Sequence, residues 1–374
     1  MRVLVVMPFP PLREGRAAAR CAVALLQGLT ARGIDCQALA PDSAAEPAKA
    51  PQDLPVELVR VESLSPWRVR RDRLANPAGG LAHGRFAQRL KALAADADIV
   101  HLIEVHAAST IRVFDRPTVV QLHCLTLRDR EIRRLWKPED RDSLELLRAE
   151  RRACRRADWL LVNSREVADG LPGRVPRERI AIAPLALDPE HYAPSARLEQ
   201  PVAGLIGTAS WPPTANAVRR LLTRVWPLVL ERRPDARLIL AGAGMEAAAF
   251  GAGADLTGVE WRGPVPSASD FLRELGVLLY PLTAGSGAKV KVLEALALGV
   301  PVVSTREGAE GLGDLGGVVV EEDDVRLAEA TVALLEDPDA RRAAGARARA
   351  SFIANHTPVP AAGPVVDLYE RMVA

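Results

Sequence analysis

The chain has 374 residues, 48% of them hydrophobic and 26% charged, with a formal net charge of +2. That is an ordinary globular composition, long enough for two domains, and it gives no electrostatic ground for a nucleic-acid partner. Cys21, Cys36, Cys124 and Cys154 stand far apart without metal-type spacing. Reduced thiols in a cytoplasmic protein are therefore expected, and no run reaches the roughly 20 apolar residues of a membrane span or reads as a signal peptide.

Apolar runs predict strands at 3–7, 34–39, 56–61, 99–103, 118–122, 159–162 and 180–183, with helices at 17–29, 86–95 and 127–154. Continuous Val/Ile/Leu strands separated by helices indicate a parallel sheet covered on both faces. A Pro- and polar-rich stretch from 184 to 200 reads as an interdomain connection. A second alternation follows, with strands at 202–206, 238–241, 259–261, 277–280, 302–304 and 318–320. Val218, Leu221, Leu222, Val225, Trp226, Val229 and Leu230 form one amphipathic stripe between the first two of these. Late helices are predicted at 326–335, 340–354 and 365–373. The expected fold is α/β, two doubly wound Rossmann-like domains facing a cleft: 1–184, 201–357, and a C-terminal helix within 358–374 that returns to the first.

The densest chemistry lies in Ala284-Gly-Ser-Gly-Ala-Lys-Val-Lys-Val-Leu-Glu294, after the strand at 277–280. A glycine loop lets backbone N–H groups approach a ligand, and it feeds a helix N-terminus that favours an anion. Lys289 and Lys291 stand in that first turn, the wrong end for cations unless a phosphate binds there. The residues alone leave a plainer reading open, a turn with an N-cap and a Lys291–Glu294 pair.

In doubly wound sheets, ligands bind outside the carboxyl ends of strands. That rule selects the loop containing Gly15, then Glu104 and His106, His123 and Cys124, Gly207, Thr208 and Trp211, and Ser286 to Lys289.

The run from Gly285 through Glu294 to Pro301-Val-Val-Ser-Thr305, continuing to Gly308-Ala-Glu-Gly-Leu312, resembles the GT-B glycosyltransferases, and most of all the retaining family-four group with its exopolysaccharide-type sugar transferases. Gly207-Thr-Ala-Ser-Trp-Pro-Pro213 with Asn216, and Trp261-Arg-Gly-Pro-Val265, also match that subgroup. The resemblance implies a nucleotide-sugar donor held by the second domain and a glycan, lipid-linked or small-molecule hydroxyl acceptor held by the first, with no separate cofactor. It implies that Glu294 holds the donor ribose, that Gly287 and Ala288 meet the phosphates or sugar, and that Gly207 and Thr208 face the diphosphate. Val265 would contact the base, His123 would lie near the transferred sugar, and Gly15 would close on the donor phosphate.

Departures stand beside these matches. Ser286 occupies the place of a family glutamate that touches the donor sugar, the Arg and Lys usual after the first strand of the second domain are missing, and Glu14-Gly15 replaces a glycine pair. Lys289 and Lys291 are read as supplying the missing charge. Two competing readings follow: a non-catalytic nucleotide-sugar-binding protein, and a dinucleotide enzyme built on Gly242 and Gly244. The Asp-x-Asp pairs at Asp96/Asp98, Asp140/Asp142 and Asp337/Asp339 read as turns and surfaces, so no metal is expected. Residues 127–156 carry eleven Lys/Arg against seven Asp/Glu. With Trp67-Arg-Val-Arg-Arg71 this suits peripheral contact with anionic lipid at the inner membrane face, although mixed charge on a helix is more commonly a solvated face.

Overall fold

The computed structural model describes residues 1–42, 51–61, 76, 78–130, 138–194, 200–250, 256–313 and 316–374. Two compact units emerge, Met1–Asp188 together with Thr357–Ala374, and Pro189–His356.

The first unit is one parallel sheet of β1 (Arg2–Val6), β2 (Asp35–Asp42), β3 (Val56–Arg60), β4 (Ile99–Ile103), β5 (Thr118–Leu122), β6 (Trp159–Val162) and β7 (Ile180–Ile182), in the order β3-β2-β1-β4-β5-β6-β7. Its helices are α1 (Ala17–Ala31), α2 (Gly84–Ala95), α3 (Glu104–Ala108), α4 (Thr126–Asp129), α5 (Pro138–Arg156), α6 (Arg165–Gly170) and, from the chain's end, the helix Pro358–Val373. Side chains alternate across a strand, and here both faces are buried. Val3 and Val5 point into one core with Leu26, Leu29, Val365 and Tyr369, whereas Leu4 and Val6 point into the other with Phe86 and Leu90. The C-terminal helix packs on α1 so closely that a Cβ at Gly28 would sit 2.1 Å from Pro358 O. It begins seven residues earlier than the apolar pattern suggested, because Pro358 and Pro360 fall in the first turn, where proline suits a helix.

The second unit is also fully parallel. Its strands are β8 (Val202–Ile206), β9 (Arg237–Ala241), β10 (Val259–Gly263), β11 (Val277–Tyr280), β12 (Val302–Ser304) and β13 (Val318–Val320), in the order β10-β9-β8-β11-β12-β13. Its helices are α7 (Pro212–Arg220), α8 (Trp226–Arg232), α9 (Met245–Phe250), α10 (Ala268–Arg273), α11 (Val290–Leu298), α12 (Arg306–Ala309), α13 (Asp324–Glu336) and α14 (Pro338–Asn355), so the C-terminal helix of the first unit is α15.

Two helices differ from the sequence reading. The stripe expected as one helix is α7, a π turn at Leu221–Val225, then α8. Pro227, at the start of α8, lacks an N–H and crowds the preceding turn, which widens it. The helix expected at 127–154 appears as α4 and α5, with 131–137 outside the described residues. On α5 the buried positions include Leu147, Ala149, Glu150, Ala153 and Cys154, while Arg148, Arg151, Arg155 and Arg156 are exposed. Trp67–Arg71 lies outside the described residues. No described helix is long and apolar enough to cross a membrane.

Candidate functional site

In the second unit, β8 and β11 are neighbours at the point where the sheet's growth reverses direction. Carboxyl ends that part at such a point leave a crevice for a ligand. Gly207 and Thr208 follow β8, and the Gly285–Gly287 loop follows β11. The two loops touch: a Cβ at Gly285 would sit 3.0 Å from the Trp211 ring. Gly207 N–H donates to Ala241 O at 3.1 Å. Gly207 O fills the space a side chain at Gly242 would need, 1.6 Å from a Cβ built there, and Gly242 has φ +128°. Close packing of two loops thus accounts for Gly242 without calling on a dinucleotide. Val265 is half-buried just beyond β10, two strands from β8.

The glycine loop is held from inside. Gly285 and Gly287 have φ +115° and +72°, which a side chain would resist. Gly287 N–H donates to Glu310 Oε1 at 2.9 Å, and Lys289 Nζ donates to Gly287 O at 2.5 Å. Lys289 Nζ also lies 3.5 Å from Glu310 Oε2, with the two side chains only 4% and 1% exposed. Ser286 is buried and Ala288 half-buried between these contacts. Gly287 therefore spends its N–H on Glu310, and Lys289 spends its charge within the loop.

Helix α11 begins at this loop. Its N-cap is Lys289, and no side chain caps it, whereas Ser267, Thr305, Asp323 and Asp337 cap α10, α12, α13 and α14. Lys291, one residue into the helix, is the partly exposed cation there; its Nζ lies 3.2 Å from Glu294 Oε2, and Glu294 is fully buried. Tyr192 donates its hydroxyl to Glu294 Oε1 at 3.3 Å. A hydroxyl reaching Glu294 would meet Tyr192 at one oxygen and Lys291 at the other. Tyr192 lies in the polar connection, and nothing in its sequence setting marked it.

In the first unit, Gly15 is exposed after β1 with φ +91°. His123 follows β5. Its Nδ1 lies 2.7 Å from Glu104 Oε1, the side chains being 17% and 20% exposed. Asn163, at the end of β6, donates its amide to His123 O at 3.0 Å. Thus β4, β5 and β6 each send one polar residue to the same sheet edge; Asn163 was missed in the sequence for want of any motif. Burial raises the Glu150 carboxyl, and Glu104 and Asp129 nearby push the same way, against hydrogen bonds from Thr126. His123 and Gln121 also line a cavity of about 20 Å³ with Cys21, Leu25, Ile103 and Ala362, room for one water molecule. His101 is fully buried, its Nδ1 2.5 Å from Tyr369 Oη. Desolvation lowers its pKa to about 3, and His123 nearby adds to that.

Among the described residues no three His, Cys, Asp or Glu side chains gather to hold a metal ion. Asp98 accepts from Arg2 N–H and Asp337 caps α14, so these two have structural work.

Two family models match the chain. One, described as Glycosyltransferase Family 4, covers residues 18–191, and the other, Glycosyl transferases group 1, covers 200–337. Over 143 residues the chain is 34% identical to a GDP-mannose-dependent monoacylated alpha-(1-6)-phosphatidylinositol monomannoside mannosyltransferase of Corynebacterium glutamicum, a match spanning 34% of this chain and 37% of that relative. The fold is shared with HepE of Anabaena, solved with UDP and glucose, at TM-score 0.65 and 15% identity over 98% of this chain and 99% of that one. It is shared too with a sucrose-phosphate synthase of Thermosynechococcus elongatus, at TM-score 0.71 and 15% identity over 100% and 99%.

Proposed function

The chain belongs to the GT-B glycosyltransferases, and on that premise we propose that it moves a sugar from a nucleoside diphosphate sugar to a hydroxyl acceptor, with retention of configuration and without a metal ion. The observation that carries this reading is the start of α11: an uncapped helix N-terminus with Lys291 beside it, at the direction switch of the second sheet. When the bond from the anomeric carbon to the diphosphate breaks, charge gathers on the leaving phosphate. Preorganised N–H dipoles and a cation aimed at that charge lower the barrier. The acceptor oxygen bonds to the anomeric carbon, and its proton passes to the leaving phosphate, so no separate carboxylate base is assigned.

Relatives bracket the donor. The Corynebacterium enzyme is named for GDP-mannose and for a lipid acceptor, and HepE was solved with UDP-glucose. The acceptor class here is a glycan, a lipid-linked sugar or a small molecule. One alternative has an observation in its favour: with Lys289 neutralised by Glu310 and Ser286 in place of a carboxylate, the chain would bind a nucleotide sugar without transferring it.

A thermal-shift panel of UDP, GDP, ADP, dTDP and NAD against wild type and Glu294→Ala tests the donor site. Stabilisation by one nucleoside diphosphate, lost in the variant, is the expected result. No shift from any of them would remove the reading. Binding without sugar release to any acceptor or to water would favour the non-catalytic alternative.

A further inference from the structure

We infer that Glu104 is a positioning residue for His123, holding the imidazole with its proton on Nδ1 so that Nε2 presents a lone pair to a hydroxyl hydrogen. The inference rests on the sugar-transfer reading only for what His123 then touches.

Two independent observations carry it. The first is the contact itself, Glu104 Oε1 to His123 Nδ1 at 2.7 Å, between side chains that are both mostly covered. An ionised carboxylate only accepts, so the shared hydrogen belongs to Nδ1, and the bond made by one ring nitrogen fixes the state of the other. The second is the backbone. Glu104 has φ +64°, and among the described residues Ala78 is the other non-glycine with positive φ. A side chain resists that conformation, and such residues persist where their surroundings over-determine them, which happens most at functional sites. Glycine would sit there without strain. The left-handed residue turns the chain directly out of β4 into α3, and it is the residue whose carboxylate reaches the end of β5.

The rest of the setting fits a held ring. Asn163 fixes the His123 carbonyl from β6, at 3.0 Å. The ring is thus tied at Nδ1 from one neighbouring strand and at its backbone from the other. His123 also lines the small cavity beside Gln121. The Glu150 carboxylate on α5, which feels the charges of both Glu104 and Asp129, is engaged by Thr126.

The test is a nitrogen-15 spectrum of histidine-labelled full-length protein at about pH 8, where an ordinary imidazole is neutral, with His123 assigned by its loss in His123→Ala. Wild type should carry the proton on Nδ1, and Glu104→Gly should release it to Nε2. A wild-type ring protonated on Nε2, or one unchanged by Glu104→Gly, would overturn the inference. A purely structural glutamate predicts a lower melting temperature in Glu104→Gly; relief of the left-handed strain predicts one equal to wild type or higher. With UDP-glucose or GDP-mannose as donor, Glu104→Gly should cut release of nucleoside diphosphate about tenfold or more, and should add less than about twofold in the His123→Ala background. An equal loss in both backgrounds would refute action through His123. If wild type releases no diphosphate from either donor, the sugar-transfer reading suffers, while the spectrum still decides the positioning role.

Discussion

Lys289 and Glu310 face each other out of solvent, 3.5 Å apart, and both grip the same residue, Gly287, one at its carbonyl and one at its N–H. A buried pair of this kind is a weak source of net stability, but removing one member leaves the other charged and desolvated. Glu310→Leu should therefore cost about 3–5 kcal/mol. Lys289→Met combined with Glu310→Leu should cost clearly less than the two single changes added together. Urea unfolding of the four proteins closes this cycle; additive losses would mean that the two residues do not act as a pair.

Lys291 and Lys289 should separate in function. Lys291 is 28% exposed at the uncapped end of α11, whereas Lys289 is turned inward. Lys291→Ala should keep the wild-type melting temperature within a few degrees and lower turnover by about a hundredfold, the scale of losing one group that stabilises transition-state charge. Lys289→Met should show its damage first in stability. Wild-type turnover in Lys291→Ala would remove the electrostatic role assigned here.

This division shows where sequence reading stops. Strand periodicity and the rule about carboxyl ends put Gly207, Thr208, Ser286 and Gly287 at one edge of one sheet, because both depend on local pattern. Which lysine turns inward depends on Glu310, beyond two helices and a strand, and nothing local encodes that pairing. Glu104 was visible as a residue at a strand end, but its positive φ was not, since nothing about a glutamate advertises a left-handed backbone. Tyr192 and Asn163 carry no motif at all. The π turn before Pro227 was legible in principle: a proline inside an apolar stripe signals a disturbed helix.

Acid should weaken the first unit through His101. Its folded pKa, about 3, lies below the ordinary value of 6.5. Between those values the unfolded chain binds a proton that the native state excludes. The native advantage is therefore complete above about pH 6.5 and falls by up to about 1.4 kcal/mol per pH unit as pH drops toward 3. Carboxylates add their own slopes, so the informative quantity is the difference between wild type and His101→Leu at pH values of about 6 and 4. That difference should shift by more than about 1 kcal/mol in favour of the variant at the lower pH. Tyr369→Phe, which removes the hydroxyl bonded to His101 Nδ1, should cost about 1–3 kcal/mol at neutral pH.

Gly242 links stability of the second unit to its ligand edge. Its φ is +128°, and a Cβ there would meet Gly207 O at 1.6 Å. Alanine at this position must push the β8 loop away from the β9 loop, because the obstacle is backbone and cannot rotate aside. The hydrogen bond from Gly207 N–H to Ala241 O, 3.1 Å long, stands directly in the path of that movement. Trp211, four residues on, leans on Gly285, so the displacement passes to the loop that leads into α11. Gly242→Ala should accordingly lower stability by about 2–4 kcal/mol and weaken nucleoside diphosphate binding, although residue 242 need never touch the ligand. Gly244→Ala is the matched control, since its nearest obstacle is the Ala209 Cβ at 3.4 Å, an ordinary contact, while its φ of +74° still carries strain. Calorimetric binding of the nucleotide identified by the thermal-shift panel would separate the two variants. Equal losses in both would mean that backbone strain alone matters here, and that the close approach of the two loops does not.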